Sequence, residues 1–204
     1  AVTSRISGTK FEIINSPEIR ALASPELDVI VTGTSTDVKG TIGISDALIN
    51  LGEFRESVAL SEDVVFKDRL VPEREQSRVT TAVQIEFGDR ITIQGQGLSG
   101  KLTGTLDVYT NDSGELLGKG EVAIRDGRFS AYGQSLVIAE GKLIFLGNRL
   151  DNPELRVSAI QRIDDTITVG IKISGYASDP LVTLFSTPAL GDDEILAYIV
   201  FGRP

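Results

Sequence analysis

Apolar and polar residues alternate along most of this chain with a period of two. The clearest case is 98–108 (LSGKLTGTLDV). There Leu98, Gly100, Leu102, Gly104, Leu106 and Val108 share one parity, and Ser99, Lys101, Thr103, Thr105 and Asp107 share the other. A period of two sends successive side chains to opposite faces of a strand, so the stretch predicts a strand with one dry and one wet face; a helix would scatter these residues around its axis. At ~3.3 Å per residue such a strand runs ~35 Å, well beyond the usual length.

The pattern recurs before and after this stretch. Residues 1–15 read as two short strands about a turn at Gly8, and 23–25 (ASP) reads as a break. Residues 26–33 alternate, with Leu27, Val29 and Val31 on one face, and 34–36 read as a turn. Next, Val38, Gly40, Ile42 and Ile44 share one parity while Ala47, Ile49 and Leu51 share the other. A one-residue slip at Ser45-Asp46 predicts a β-bulge, which adds a residue and returns the apolar set to the same side. Val79, Thr81, Val83, Ile85 and Phe87 alternate cleanly; Gly88-Asp89 reads as a turn, and Ile91 and Ile93 lead through Gly95-Gln96-Gly97 into 98–108. Asn111-Asp112-Ser113-Gly114 is a hairpin signal. Leu116, Gly118, Gly120, Val122 and Ile124 return on one parity, the phase slips again at Arg125-Asp126, and Gly127, Phe129 and Ala131 follow. Residues 40–49 and 120–129 thus share a strand–bulge–strand form, a weak internal repeat.

Residues 136–146 read as two strands around Glu140-Gly141, and Asp151-Asn152-Pro153 as a turn. Leu155, Val157 and Ala159, then Ile167, Val169, Ile171 and Ile173, carry the alternation on; Ser178-Asp179-Pro180 turns the chain into 181–185. A helix is predicted only after Pro188, with Asp192 and Asp193 as caps, Glu194 in its first turn and Ile195, Leu196, Ile199 and Val200 as its apolar stripe. The most polar segment, 53–78, reads as a solvated surface connection, long for a loop. The expectation is one elongated β domain over 1–204, with 53–78 as a possible divide between 1–52 and 79–204.

Composition narrows the chemistry. Glycine is frequent, at 21 residues, and many glycines fall inside strand patterns, where glycine marks a bend or a close approach. The net charge of −9 argues against nucleic acid and against adhesion to anionic lipid, since both require basic patches. The chain has no Cys and no His, which removes disulfides, thiol nucleophiles, Ser-His-Asp triads and the commonest zinc ligands. Asp164-Asp165 and Asp192-Asp193-Glu194 could be offered as catalytic carboxylate clusters. Neighbours in a strand face opposite ways and acids at a helix start serve its dipole, so neither reads as a site. Asn111–Gly114 lacks the ligand count of a calcium loop, Gly95-x-Gly97 precedes no helical pattern, and Ser130 and Ser135 have no base. No enzyme activity, metal or cofactor is expected. No run of eighteen apolar residues is present, and the chain, which begins at Ala1 and holds no Met, reads as a piece of a longer protein.

A long one-sided sheet must bury its apolar face. Alternation alone leaves two outcomes open: a closed sandwich or barrel with a dry core, or an open trough lined by aliphatic side chains. The closed form would act through strand pairing as an interaction module. The trough would suit acyl chains, and its free edges would accept another chain's strand.

In its C-terminal half the sequence resembles the TamB family, in that family's C-terminal domain. The residues carrying the resemblance are Gly104-x-Leu106-x-Val108, Gly120-x-Val122-x-Ile124-x-x-Gly127-x-Phe129-x-x-Tyr132-Gly133, Gly141-x-Leu143-x-Phe145 and Asp151-Asn152-Pro153-x-Leu155. Residues 169–175 follow, then Asp179-Pro180-x-Val182-x-Leu184-Phe185-Ser186-x-Pro188, then Glu194-Ile195-Leu196-x-Tyr198 with Gly202-Arg203. Their order and spacing are specific over 79–203 and looser over 26–51, where Ser45 replaces the family's usual Pro.

The resemblance implies an all-β fold: an elongated, strongly curved, U-shaped sheet (a β-taco) with an apolar groove, plus one short C-terminal helix. It implies a periplasmic location, with an inner-membrane anchor outside this segment, and docking on the outer-membrane barrel TamA through its POTRA domains. It also implies work on phospholipid acyl chains and on unfolded outer-membrane protein strands, in phospholipid movement between membranes and in autotransporter assembly. Under this reading the groove is lined from 79–93 by Val79, Val83, Ile85, Phe87, Ile91 and Ile93, and from 98–108 by Leu98, Leu102, Leu106 and Val108. Further along it is lined by Val122, Ile124 and Phe129, then Leu155 and Val157, then Ile167, Val169, Ile171 and Ile173. Ile195, Leu196, Ile199 and Val200 would meet a partner or plug the groove's end. Gly100 and Gly104 are the expected points of sharpest bending.

Overall fold

The computed structural model of the chain describes residues 1–51, 78–131 and 133–203. The described strands are β1 (Val2–Ser7), β2 (Phe11–Asn15), β3 (Ile19–Thr32), β4 (Ser35–Asn50), β5 (Arg78–Gly95), β6 (Leu98–Thr110), β7 (Leu116–Ala131), β8 (Gln134–Arg149), β9 (Glu154–Arg162), β10 (Thr168–Tyr176) and β11 (Asp179–Thr187); α1 (Asp192–Phe201) follows. All eleven strands form one sheet in the order β1-β3-β4-β5-β6-β7-β8-β9-β10-β11, with β2 pairing β3 beside β1. The ends of this order do not meet, so the sheet is open and the closed sandwich or barrel is not formed. Among the described residues β4 and β5 pair in parallel and the other neighbours antiparallel. The polar segment expected over 53–78 falls, except for Arg78, outside the described residues.

Both phase slips are bulges. Ile44 and Asp46 oppose the adjacent Ala23 and Leu22, leaving Ser45 as the extra residue. On β7, Lys101 faces Arg125 and Ser99 faces Arg128, so two intervening residues oppose one; Asp126 there has φ 51°. A third bulge explains 136–146: Ile138 faces Ala159 and Glu140 faces Ser158, so Ala139 is extra and β8 is one strand rather than two.

Two other expected interruptions are also strand. β3 passes through Pro25, which pairs with Ile42. The Pro25 carbonyl accepts from the Gly8 N–H at 3.1 Å. A residue's N–H and C=O leave a strand on the same side, so the missing donor points at the gap between β1 and β2 and no ladder bond is lost. At Gly88-Asp89, β5 takes five steps from Phe87 to Thr92 while β6 takes three from Gly104 to Lys101. Two extra residues preserve parity, which is why the apolar alternation survives there unbroken. The hairpin after β3 turns through Gly33-Thr34, with Thr36 already inside β4, and the last hairpin turns through Ala177-Ser178, with Asp179 and Pro180 inside the edge strand β11.

Strand glycines let neighbouring backbones close together. Gly104 (φ +135°) lies where a Cβ would sit 2.1 Å from the Glu121 carbonyl oxygen; Gly120 (φ +140°), on the facing strand, would meet the Thr105 oxygen at 2.3 Å. The two flank the Thr105–Glu121 pair reciprocally. Gly40 (φ +142°) repeats this against Glu26, at the position equivalent to Gly120 in the internal repeat. Gly100 differs from Gly104: its φ is not in the left-handed range, and it makes room for Ile124 and Gly127 instead.

Candidate functional site

The even/odd alternation puts the apolar set of β3 to β10 on one face. Its first cluster joins Ala21, Ala47, Ile91, Leu102, Leu106, Val108, Val122 and Phe145, drawn from six consecutive strands. A second joins Leu136, Ala159 and Val169 to Ile195 and Ile199 of α1. Among the described residues no polar or charged side chain is buried. The ion pairs Lys101–Asp126 (3.3 Å), Lys142–Glu121 (3.0 Å) and Arg90–Asp46 (3.2 Å) all stand in solvent.

Between the two clusters lies a cavity of about 340 Å³. Gly95, Gln96 and Leu98 border it at the β5–β6 hairpin, Ile124 and Phe129 on β7, and Ile138 on β8. Val157 and Ala159 on β9, Ile171 and Ile173 on β10, and Leu51 after β4 complete it. In the sheet order β5 and β10 are five steps apart; in a flat sheet that is ~24 Å. That both border one cavity of this size requires the sheet to curl sharply, apolar face inward. Glycines keep the wall smooth: a Cβ at Gly127 would lie 2.9 Å from both Ile124 and Ile138, and one at Gly141 2.9 Å from Ile124. The β11 rim is open, because Val182, directly opposite Ile173 and on the same face, is 57% exposed.

α1 packs on the second cluster, beside the cavity. Ile195 is 2% exposed and Ile199 8%, both turned into the Leu136–Ala159–Val169 cluster. Leu196 is 45% exposed and Val200 partly so, hence the stripe read from sequence divides between an inward and an outward pair. The N-cap is Gly191 rather than an aspartate; its N–H donates to Glu194 Oε2 at 3.3 Å, and Asp192 and Asp193 sit in the first turn, favourable to the dipole. Gly202, with φ 72°, closes the helix and donates to the Tyr198 carbonyl at 2.9 Å.

Of the side chains read as lining, Leu98, Ile124, Phe129, Val157, Ile171 and Ile173 border the cavity. Val83, Ile91, Leu102, Leu106, Val108, Val122 and Val169 are buried, while Ile85, Phe87, Ile93, Leu155 and Ile167 are half-buried. Val79 stands near the start of β5 at 52% exposure. Leu51, Ile138 and Ala159 were not among the residues read as lining, although Leu51 and Ala159 carry the alternation; Gly95 and Gln96 lie at the β5–β6 turn and carry no such signal.

The acidic pairs have other duties. Asp164 lies in the β9–β10 loop, not in a strand. Its Oδ1 accepts from the Thr166 N–H (2.7 Å), the Thr166 hydroxyl (2.8 Å) and the Ile167 N–H (2.8 Å). These donors, the Thr166 N–H foremost, hold its carboxyl below the usual aspartate range. Among the described residues no cluster of His, Cys, Asp or Glu is placed to hold a metal, and no helix is long and apolar enough to cross a membrane.

The described residues define a class: an all-β protein built on one open, curved sheet with an aliphatic inner face and one short C-terminal helix. The TamB C-terminal domain family matches residues 1–204, and the chain belongs to that family. It is 28% identical over 198 residues to the translocation and assembly module subunit TamB of Haemophilus influenzae, an alignment that covers 88% of this chain and 15% of that protein. The chain therefore spans about a seventh of its relative's length.

Proposed function

We propose that this domain is the periplasmic part of a translocation and assembly module, in which its groove conducts phospholipid between the inner and outer membranes and assists assembly of outer-membrane proteins such as autotransporters. Family membership supports the module. The observation carrying the conduit is the continuous, uncharged apolar face on β3 to β10 of a sheet that never closes. Each methylene moved from water into such a lining gains ~0.8 kcal/mol. The open β11 rim gives a headgroup a path alongside.

The test replaces half-buried lining residues, Leu98→Glu and Ile173→Glu, in the full-length protein, and follows phospholipid exchange between membranes. The variants should fold and lose transport. Transport at wild-type rates by folded variants would end the conduit reading.

Among the described residues the outer edge of β11 is unpaired, which favours a second reading. Its backbone donors and acceptors, with Leu181 and Val182 largely exposed, offer a strand site to a TamA POTRA domain or to an unfolded outer-membrane protein strand. Substituting Pro for Val182, whose N–H faces away from β10, should weaken capture of either partner if this edge is used, and leave it unchanged otherwise.

A further inference from the structure

We infer that the cavity between the β5–β6 hairpin and α1 is a terminal site for a single acyl tail, read by length and not by headgroup. This deepens the conduit reading and rests on it. Three observations carry the inference: volume, lining and the closed end.

The volume is about 340 Å³. At ~30 Å³ for a group of water's size, that is room for about eleven such groups. One tail end of around ten carbons fits within that volume. The lining has no charged side chain, and Gln96 is its single polar one. No Lys or Arg lines the cavity to seat a phosphate. Discrimination by charge therefore has no instrument in this cavity. Finally, Ile138, Ala159 and Ile171 belong both to the cavity wall and to the cluster beneath Ile195 and Ile199. The helix packs behind that wall, so the cavity ends against the α1 cluster there, and a tail longer than the cavity gains nothing inside it.

The experiment titrates the purified chain with three alkyl series: maltosides, phosphocholines and fatty acids of about eight to sixteen carbons, each below its micelle concentration. Affinity should tighten roughly fourfold per methylene up to about ten carbons and then level off. At equal length the three headgroups should agree within about threefold, and native mass spectrometry should count one alkyl chain per protein. Continued tightening beyond about fourteen carbons, a headgroup effect above tenfold, or two chains bound would overturn the inference. Val157→Phe, which fills the cavity from a half-buried position, should move the plateau to shorter chains. Ile199→Ala, which thins the packing behind the closed end, should move it to longer ones; a plateau unmoved in both refutes the stop. If the chain carries no diacyl phospholipid yet binds the alkyl series as stated, the conduit falls and this site stands. If it carries diacyl lipid but binds no alkyl probe, the site falls and the conduit stands.

Discussion

Gly104→Ala should unsettle the sheet far more than its single methyl implies. The new Cβ would lie 2.1 Å from the Glu121 carbonyl oxygen, where 3.4–4 Å is ordinary contact, and φ +135° is a conformation that side-chain-bearing residues rarely adopt. Backbone strain of this kind costs about 1–3 kcal/mol. The overlap is with backbone hydrogen-bonded into the sheet, so it can relax only by parting β6 from β7. A loss of about 2–4 kcal/mol is expected, out of the roughly 5–15 kcal/mol that holds a typical domain together. For a chain of this size each kcal/mol moves the melting midpoint by about 2–4 °C, so a loss near 3 kcal/mol lowers it by about 6–12 °C. Gly43→Ala on β4 is the control: its Cβ would find its nearest neighbour, the Ser24 oxygen, at 3.9 Å, and its φ lies outside the left-handed range. Less freedom in the unfolded chain makes that change neutral or stabilising by under about 1 kcal/mol. The assay is thermal and urea unfolding of both variants followed by far-UV circular dichroism. Equal midpoints for the two would refute the argument that close backbone approach at Gly104 shapes the sheet.

Further outcomes can be stated from other positions. Pro25→Ala should shift the unfolding free energy by no more than about 0.5 kcal/mol, because its absent donor faces a gap between strands; urea titration checks this. Ile195→Ala should cost about 2–5 kcal/mol whereas Leu196→Ala, on the outward face, should cost under about 0.5, as measured by calorimetry. If α1 docks a partner through its outward side, Leu196→Ala with Val200→Ala should reduce capture of TamA while the melting midpoint holds. Asp164 is held below the ordinary range by donors in its turn, so its contribution is fully present above the unfolded aspartate value of ~3.9 and is lost as pH falls through its lower folded value. Asp164→Asn should therefore flatten the acid limb of stability in that window, and chemical shifts of the Thr166 and Ile167 amides should titrate there in the parent only.

The strands, their dry face and two bulges were legible because alternation records which side a residue faces. A one-residue bulge betrays itself by a phase slip, as at Ser45 and Asp126. The two-residue insertion at Gly88-Asp89 leaves parity intact, so local composition pointed to a turn. Pro25 misled for a related reason: sequence shows a donor missing but not which way it would have pointed. The parallel pairing of β4 with β5 was invisible, since parity is the same in either direction. Of the cavity, the aliphatic walls were readable and the curl was not. Nothing in Leu51 or Gly95 announces that β5 and β10 will border one cavity; that depends on where Gly40, Gly104 and Gly120 let adjacent backbones crowd together.

The parallel β4–β5 pair has a consequence for how the molecule assembles. Every other pairing between consecutive strands here is antiparallel and can zip outward from its own connection, a short, local closure. β4 and β5 must instead be brought side by side in the same direction across residues 51–77, a longer closure that brings no adjacent hairpin contact with it. Folding should therefore proceed as two zippers, 1–50 and 78–187, that meet last along one seam. Amide exchange in β4 and β5 should show this seam as the line along which the native sheet first parts.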